Sequence, residues 1–168
     1  MNSNIILGID PGLATTGWAV LKCDLQNISK QEKSCEIINY GIITTSKGEE
    51  IGQRLCEIYD DLTGIVEKYK PDFAGVESLL FYSNAKTAIA VGQARGVVLT
   101  VLAKAGVSRA DFTPLQVKQF ITGYGRADKK QVQECVSMML NIDGLVQDDA
   151  CDALAIAMIA EASIKKLI

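Results

Sequence analysis

Three stretches of this 168-residue chain carry carboxylates to the end of an apolar segment. In Gly8-Ile9-Asp10-Pro11-Gly12, Asp10 closes an apolar run that begins at Ile5. In Phe73-Ala74-Gly75-Val76-Glu77, Glu77 closes a second run. In Asp148-Asp149-Ala150-Cys151-Asp152, three acids open a stretch that is apolar from Ala153 to Ile159. A side chain at the end of a buried strand projects into a cleft rather than a core. Asp149 and Asp152 are three residues apart and share one helix face. Like charges there repel by a few tenths of a kcal/mol when exposed, and by more when partly buried. Something cationic should compensate them. Each acid also has a simpler reading. An aspartate before Pro-Gly is a common turn residue, and Asp148 suits a helix N-cap.

If the three stretches converge, the site they form is made of oxygen donors. The chain has no histidine. That removes histidine general bases, Ser–His–Asp and Cys–His nucleophiles, and histidine-held zinc. Oxygen-only sites suit hard cations such as Mg²⁺ or Mn²⁺. Two such ions held about 4 Å apart activate water and stabilise the leaving oxygen of a phosphodiester. The charge pattern points the same way. The net charge is -3, yet residues 86–130 hold eight basic and two acidic residues between two acidic flanks. A basic middle third turned toward a polyanion would hold it beside the acid cluster. A scatter of solubilising lysines is the plainer alternative.

The composition, 48% hydrophobic and 22% charged, predicts one folded domain over residues 1–168 and excludes disorder. No uncharged apolar run of about 18 residues occurs, so no membrane span is expected. The first apolar stretch is too short for a secretory signal. These absences predict a soluble, cytoplasmic protein. Cys23, Cys35, Cys56, Cys135 and Cys151 are odd in number and lack a Cys-x-x-Cys. They are expected as free thiols packed in a reducing compartment.

The elements that must position the acids follow from periodicity. Asn4–Asp10, Trp18–Leu25 and Glu36–Thr44 read as three antiparallel strands. Glu49–Tyr69 reads as a helix with Ile51, Leu55, Ile58, Leu62, Ile65 and Val66 on one face, stopped by Pro71. Phe73–Glu77 is a fourth strand. If it lies beside the first, Asp10 and Glu77 are neighbours. Asn84–Ala105 reads as a helix rich in small residues, suited either to a dimer interface or to packing on the sheet. Val107–Thr113 is a fifth strand, and Pro114 opens a helix capped by Thr113. Helices over Lys129–Leu140 and Asp148–Lys166 complete an α/β domain: a mixed sheet with helices on its faces.

Taken together, these segments resemble the RuvC family of Holliday junction resolvases, the crossover junction endodeoxyribonucleases. The likeness runs nearly end to end. It is carried by Gly8-Ile9-Asp10-Pro11-Gly12, Val76-Glu77, Asn84-Ala85, Gly92-Gln93-Ala94-Arg95-Gly96, Gln116-Val117-Lys118-Gln119, Asp128-Lys129 and Asp149-Ala150-Cys151-Asp152-Ala153-Leu154-Ala155.

The resemblance implies an RNase H-like, five-stranded mixed sheet whose first three strands are antiparallel. It implies a symmetric homodimer that nicks a four-way DNA junction at two like strands with Mg²⁺, two ions per site, Mn²⁺ being a possible substitute. It implies a branch-migration partner, RuvA with RuvB, and a role in recombination and repair. It assigns catalysis and metal binding to Asp10, Glu77, Asp149 and Asp152, and DNA contacts to Lys118, Lys129 and Arg95. The family's aromatic wedge falls at Leu80 here, with Phe81 next, so either residue is a candidate for inserting into the junction. Asp148 is an acid beyond the family's set. Three rivals remain at this point. They are an RNase H-like nuclease acting on RNA–DNA hybrids or flaps, a nucleotide-binding protein of the actin-like type, and a DNA-binding module without catalysis. The actin-like reading needs a second phosphate loop that the sequence lacks, and the four intact carboxylates speak against a bare module.

Overall fold

The apolar run at the start of the chain becomes β1 (Ser3–Asp10), the middle strand of a five-stranded sheet ordered β3-β2-β1-β4-β5. The structure, a computed structural model, describes residues 3–24, 35–78, 85–142 and 146–165. β2 (Thr15–Asp24) and β3 (Cys35–Thr44) follow β1 as an antiparallel meander. Helix α1 (Ile51–Tyr69) then carries the chain to β4 (Phe73–Glu77), which runs parallel to β1. Helix α2 (Ala85–Lys104) leads to β5 (Ser108–Phe112), parallel to β4. Three helices end the described chain: α3 (Pro114–Thr122), α4 (Lys129–Leu140) and α5 (Asp148–Lys165). This is the expected element order.

The strands alternate between two cores. Leu7 and Ile9 of β1, with Val20, Ala74 and Val76, face α1 and α2, where Ile58, Leu62, Val98 and Leu102 close the layer. Ile6, Ala19 and Leu21 face α5, which buries Leu154, Ile156 and Ala157. Helix ends follow local chemistry. Thr113 and Gln116 form a capping box before Pro114, as the sequence predicts for Thr113. Asp128 and Gln131 form a second.

Helix α5 lies against the sheet because glycines leave room for it. A Cβ on Gly8 would come within 2.1 Å of the Ala153 carbonyl oxygen, and one on Gly17 within 2.0 Å of that of Asp149. On Gly75 it would meet Ala160 Cβ at 2.8 Å. Three strands thus each give up a side chain where the helix crosses.

Two expectations are corrected, on the cysteines and on Asp148, and one helix-face residue lies more open than its neighbours. Cys23 and Cys35 are not free thiols. They face each other in register across β2 and β3 and form a disulfide, their Cα atoms 4.1 Å apart. That pairing is a property of strand register, which cysteine counting does not contain. Cys56, Cys135 and Cys151 are free. Ile51 is 39% exposed at the first turn of α1, ahead of the buried face formed by Ile58, Leu62 and Val66. Asp148 is not an N-cap but the first helical residue of α5, and the Gln147 carbonyl accepts from the Cys151 amide. Among the described residues no helix is long and apolar enough to cross a membrane.

Candidate active site

Asp10 sits where β1 gives way to the turn before β2. The Thr16 hydroxyl ties that turn, donating to the Gly12 carbonyl at 2.7 Å. Thr45 donates to the Leu13 carbonyl at 2.6 Å, and Arg54 adds a bond to the same oxygen at 3.2 Å. The end of β1 is therefore fixed from the next two strands and from α1. On its other side β4 runs parallel, with Ile9 paired to Val76, so Asp10 and Glu77 follow as neighbours. Their carboxyl groups share a hydrogen bond.

Helix α5 brings the remaining acids. Asp10 and Gly17 are register partners, and the missing side chain at Gly17 lets the first turn of α5 approach beside Asp10. One carboxylate oxygen each from Asp10, Asp149 and Asp152 lies within 4.8 Å of the others. All four acids are half-buried. The structure thus brings together the four carboxylates singled out in the sequence.

Crowding in a partly dry cleft favours the protonated forms of Asp10, Glu77 and Asp152. Burial, then the Asp152 and Asp149 charges, raises Asp10 to about 6 from its ordinary 3.8. Burial and Asp10 raise Glu77 to about 8 from 4.5. Asp152 is also raised by burial, against the pull of Lys129. Lys129 is the cation that the spacing of Asp149 and Asp152 demands. Its ammonium lies 3.9 Å from Asp152 and 3.7 Å from Asp148. Lys118, from α3, draws the Glu77 carboxyl back toward its charged form. Lys129 therefore stands at the rim of the acid cluster, and the Lys118 charge is felt there too.

The sign of the pH dependence follows. The folded state keeps protons on Asp10 and Glu77 that the unfolded chain sheds near pH 4. This stabilisation is complete below about pH 4 and is lost as pH rises through about 6 and 8. In EDTA, Tm is expected to fall by about 5 °C or more between pH 5 and pH 8.5. Saturating Mg²⁺ should flatten that fall. A metal-free Tm that rises over this range would contradict the electrostatic picture.

Other expected residues lie elsewhere. Arg95 does not face the cleft. Its guanidinium is engaged with the Glu77 carbonyl and with Asp111. Leu80 and Phe81 lie outside the described residues. Asp148 accepts from Gln133 Nε2 at 2.6 Å and faces Lys129. Sequence reasoning passed over Gln133, Asp111 and the spacing role of Gly17. Only Gly17 left a signal, a glycine inside a strand pattern, which marks a close approach.

Comparison with known proteins identifies the constellation. Residues 6–160 match the family model described as crossover junction endodeoxyribonuclease RuvC. The RuvC of Thermosipho melanesiensis is 46% identical over 90% of this chain and 93% of its own. That of Caldicellulosiruptor saccharolyticus is 44% identical over 91% and 89%. Among solved structures, T. thermophilus RuvC in complex with a Holliday junction substrate superposes with a TM-score of 0.83 at 29% identity, covering 96% of each chain. The yeast mitochondrial Holliday junction resolvase, at 14% identity and a TM-score of 0.66, shares the fold. The chain belongs to the RuvC family of Holliday junction resolvases, crossover junction endodeoxyribonucleases with an RNase H-like fold.

Proposed function

We propose that residues 1–168 act as one nuclease domain that, as a symmetric homodimer, cuts four-way DNA junctions by paired nicks, with Asp10, Glu77, Asp149 and Asp152 as its metal-holding catalytic residues. The observation that carries this reading is the convergence of Asp10, Asp149 and Asp152 oxygens within 4.8 Å, with Glu77 bonded to Asp10. Nucleases of the family use divalent metal ions, and an all-carboxylate donor set fits a hard cation such as Mg²⁺ or Mn²⁺. Asp10 stands between Glu77 and the α5 acids, so Asp10, Glu77, Asp149 and Asp152 together would hold Mg²⁺ there. Bound there, the ions would lower the pKa of an attacking water and balance charge on the departing 3′ oxygen. Lys118 and Lys129 supply fixed positive charge at the rim, where the scissile phosphate gains negative charge in the transition state. The nick leaves a 5′-phosphate and a 3′-hydroxyl.

A junction has two-fold symmetry, and a symmetric dimer presents two copies of the site to it. The α2 helix serves both roles weighed for it in this reading. Ala94, Val98, Val101 and Leu102 pack on the sheet, while Ile89, 71% exposed, lies on the open side available to a second copy. The T. thermophilus relative was solved with its junction, which supports the substrate. The reading places the chain in the cytoplasm with a RuvA–RuvB branch-migration partner, and it keeps Leu80 or Phe81 as the junction wedge.

The test is a nicking assay on a mobile four-way junction with Mg²⁺, beside linear duplex, RNA–DNA hybrid and the Glu77→Gln protein. Paired nicks in the junction only, absent with Glu77→Gln, are expected. Cutting of the hybrid would move the chain to another nuclease class, and binding without cutting would make it a module. A monomer at micromolar concentration in sedimentation would overturn the dimer.

A further inference from the structure

The last peptide of β4 is gripped from the face of the sheet opposite the acid cluster. Val76 and Asp111 are register partners, so Asp111 lies on the α2 side, while Glu77 and Phe112 alternate to the α5 side. Arg95, on α2, reaches both strands. Its Nε donates to the Glu77 carbonyl at 3.2 Å, and a terminal nitrogen donates to Asp111 Oδ1 at 2.7 Å. Arg109 holds the other Asp111 oxygen. The Arg95 side chain is only 19% exposed and its bond to the Glu77 carbonyl is partly buried, while Asp111 lies nearer the surface.

The sheet cannot hold that carbonyl by itself. Residues 73, 75 and 77 of β4 turn their backbone groups toward β1, since Ser78 already bonds across to the Phe112 carbonyl on the β5 side. Continuing the register beyond Ile9 and Val76, the Glu77 carbonyl would meet the amide of residue 11. Residue 11 is Pro11, which has no N–H. The strand end that carries Glu77 therefore lacks its ladder bond on the side that faces β1.

We propose that Arg95 is a positioning residue: its guanidinium replaces the amide that Pro11 lacks and, braced by Asp111 and Arg109, holds Glu77 in the metal-binding cluster. This rests on the reading of Glu77 as a metal ligand. It also gives the Gly-Gln-Ala-Arg-Gly segment a role other than DNA contact. Without the clamp, the Glu77 carbonyl loses the donor that fixes it, the end of β4 is free to shift, and the donor set is no longer held in place before metal arrives. Lysine does not reproduce the clamp, because one ammonium cannot match the planar fork that serves both acceptors.

The test measures Mn²⁺ binding by calorimetry without DNA, junction affinity in EDTA as a function of salt, and nicking across a range of Mg²⁺ concentrations. Arg95→Met is expected to weaken Mn²⁺ binding about tenfold and to raise the Mg²⁺ needed for half-maximal nicking by a similar factor. Its junction affinity in EDTA should stay within about twofold, with the salt slope unchanged. Asp111→Asn should shift metal affinity the same way by a smaller factor, about threefold, and decides the matter if Arg95→Met does not fold. Weaker junction binding with a salt slope smaller by about one, and unchanged Mn²⁺ affinity, would make Arg95 a phosphate ligand and overturn the proposal. Glu77→Gln separates the two readings. If it leaves Mn²⁺ affinity unchanged, the ligand reading falls and the proposal with it. If it weakens Mn²⁺ binding while Arg95→Met and Asp111→Asn do not, only the positioning role falls.

Discussion

Asp10→Asn is expected to lower junction nicking by on the order of a thousandfold, while the same protein melts higher than wild type in EDTA at pH 8. The two effects have one cause. Asp10 receives repulsion from Asp149 and Asp152 and shares a proton with Glu77 in a half-buried cleft. In metal-free solution above pH 8 that proton is gone, and the four acids carry more charge than Lys118 and Lys129 offset. An amide at position 10 keeps the shape of the site and removes the repulsion at its centre, so the apo protein gains stability. The same change removes the oxygen charge that a divalent cation requires, so Mg²⁺, expected to raise the wild-type Tm, should no longer do so. Nicking, junction binding and melting measured on one preparation check all three points. Lost nicking with lower metal-free stability would mean that Asp10 holds the fold together, which its place among like charges at the end of β1 does not suggest.

Much of this arrangement is visible in the order of residues, because it depends on short-range chemistry. Phe73–Glu77 is recovered to the residue as a strand, since three apolar residues and a glycine lie between Pro71 and the acid. Thr113 and Pro114 announce the start of α3. The four carboxylates stand out because each ends or opens an apolar segment. What the sequence hides is registration between segments. The Cys23–Cys35 disulfide depends on a register that contains an irregularity between Val20 and Leu21. The engagement of Arg95 depends on Val76 lying beside Asp111, and on α2 covering that face. Asp148 resembles a cap because the spacing cannot say which residue makes the first helical bond, and here the Gln147 carbonyl does so. Charges on long side chains are the least legible: Lys129 and Arg95 are both basic, yet one stands at the rim of the cluster and the other behind the sheet.

The close approach of α5 to β2 at Gly17 gives the second large effect. Gly17→Ala is expected to lower Tm by about 2–12 °C and to weaken Mg²⁺ binding in the fraction that folds. A Cβ at residue 17 would lie 2.0 Å from the Asp149 carbonyl oxygen, and the obstacle is backbone, which no rotamer change relieves. Either β2 or the first turn of α5 must move. Overpacking of this kind costs about 1–3 kcal/mol, and each kcal/mol lowers Tm by about 2–4 °C in a domain of this size. The first turn of α5 carries Asp149 and Asp152, so a helix pushed off the sheet takes two of the four acids away from Asp10. Stability and metal affinity should fall together. Gly64→Ala is the control of opposite sign. That glycine lies in α1 with open space at its Cβ position, so alanine should stabilise by about 0.5–1 kcal/mol through helix propensity and leave the metal titration unchanged. If Gly17→Ala melts and binds Mg²⁺ like wild type, α5 is not held at the distance the structure shows, and the grouping of Asp149 and Asp152 with Asp10 needs another explanation.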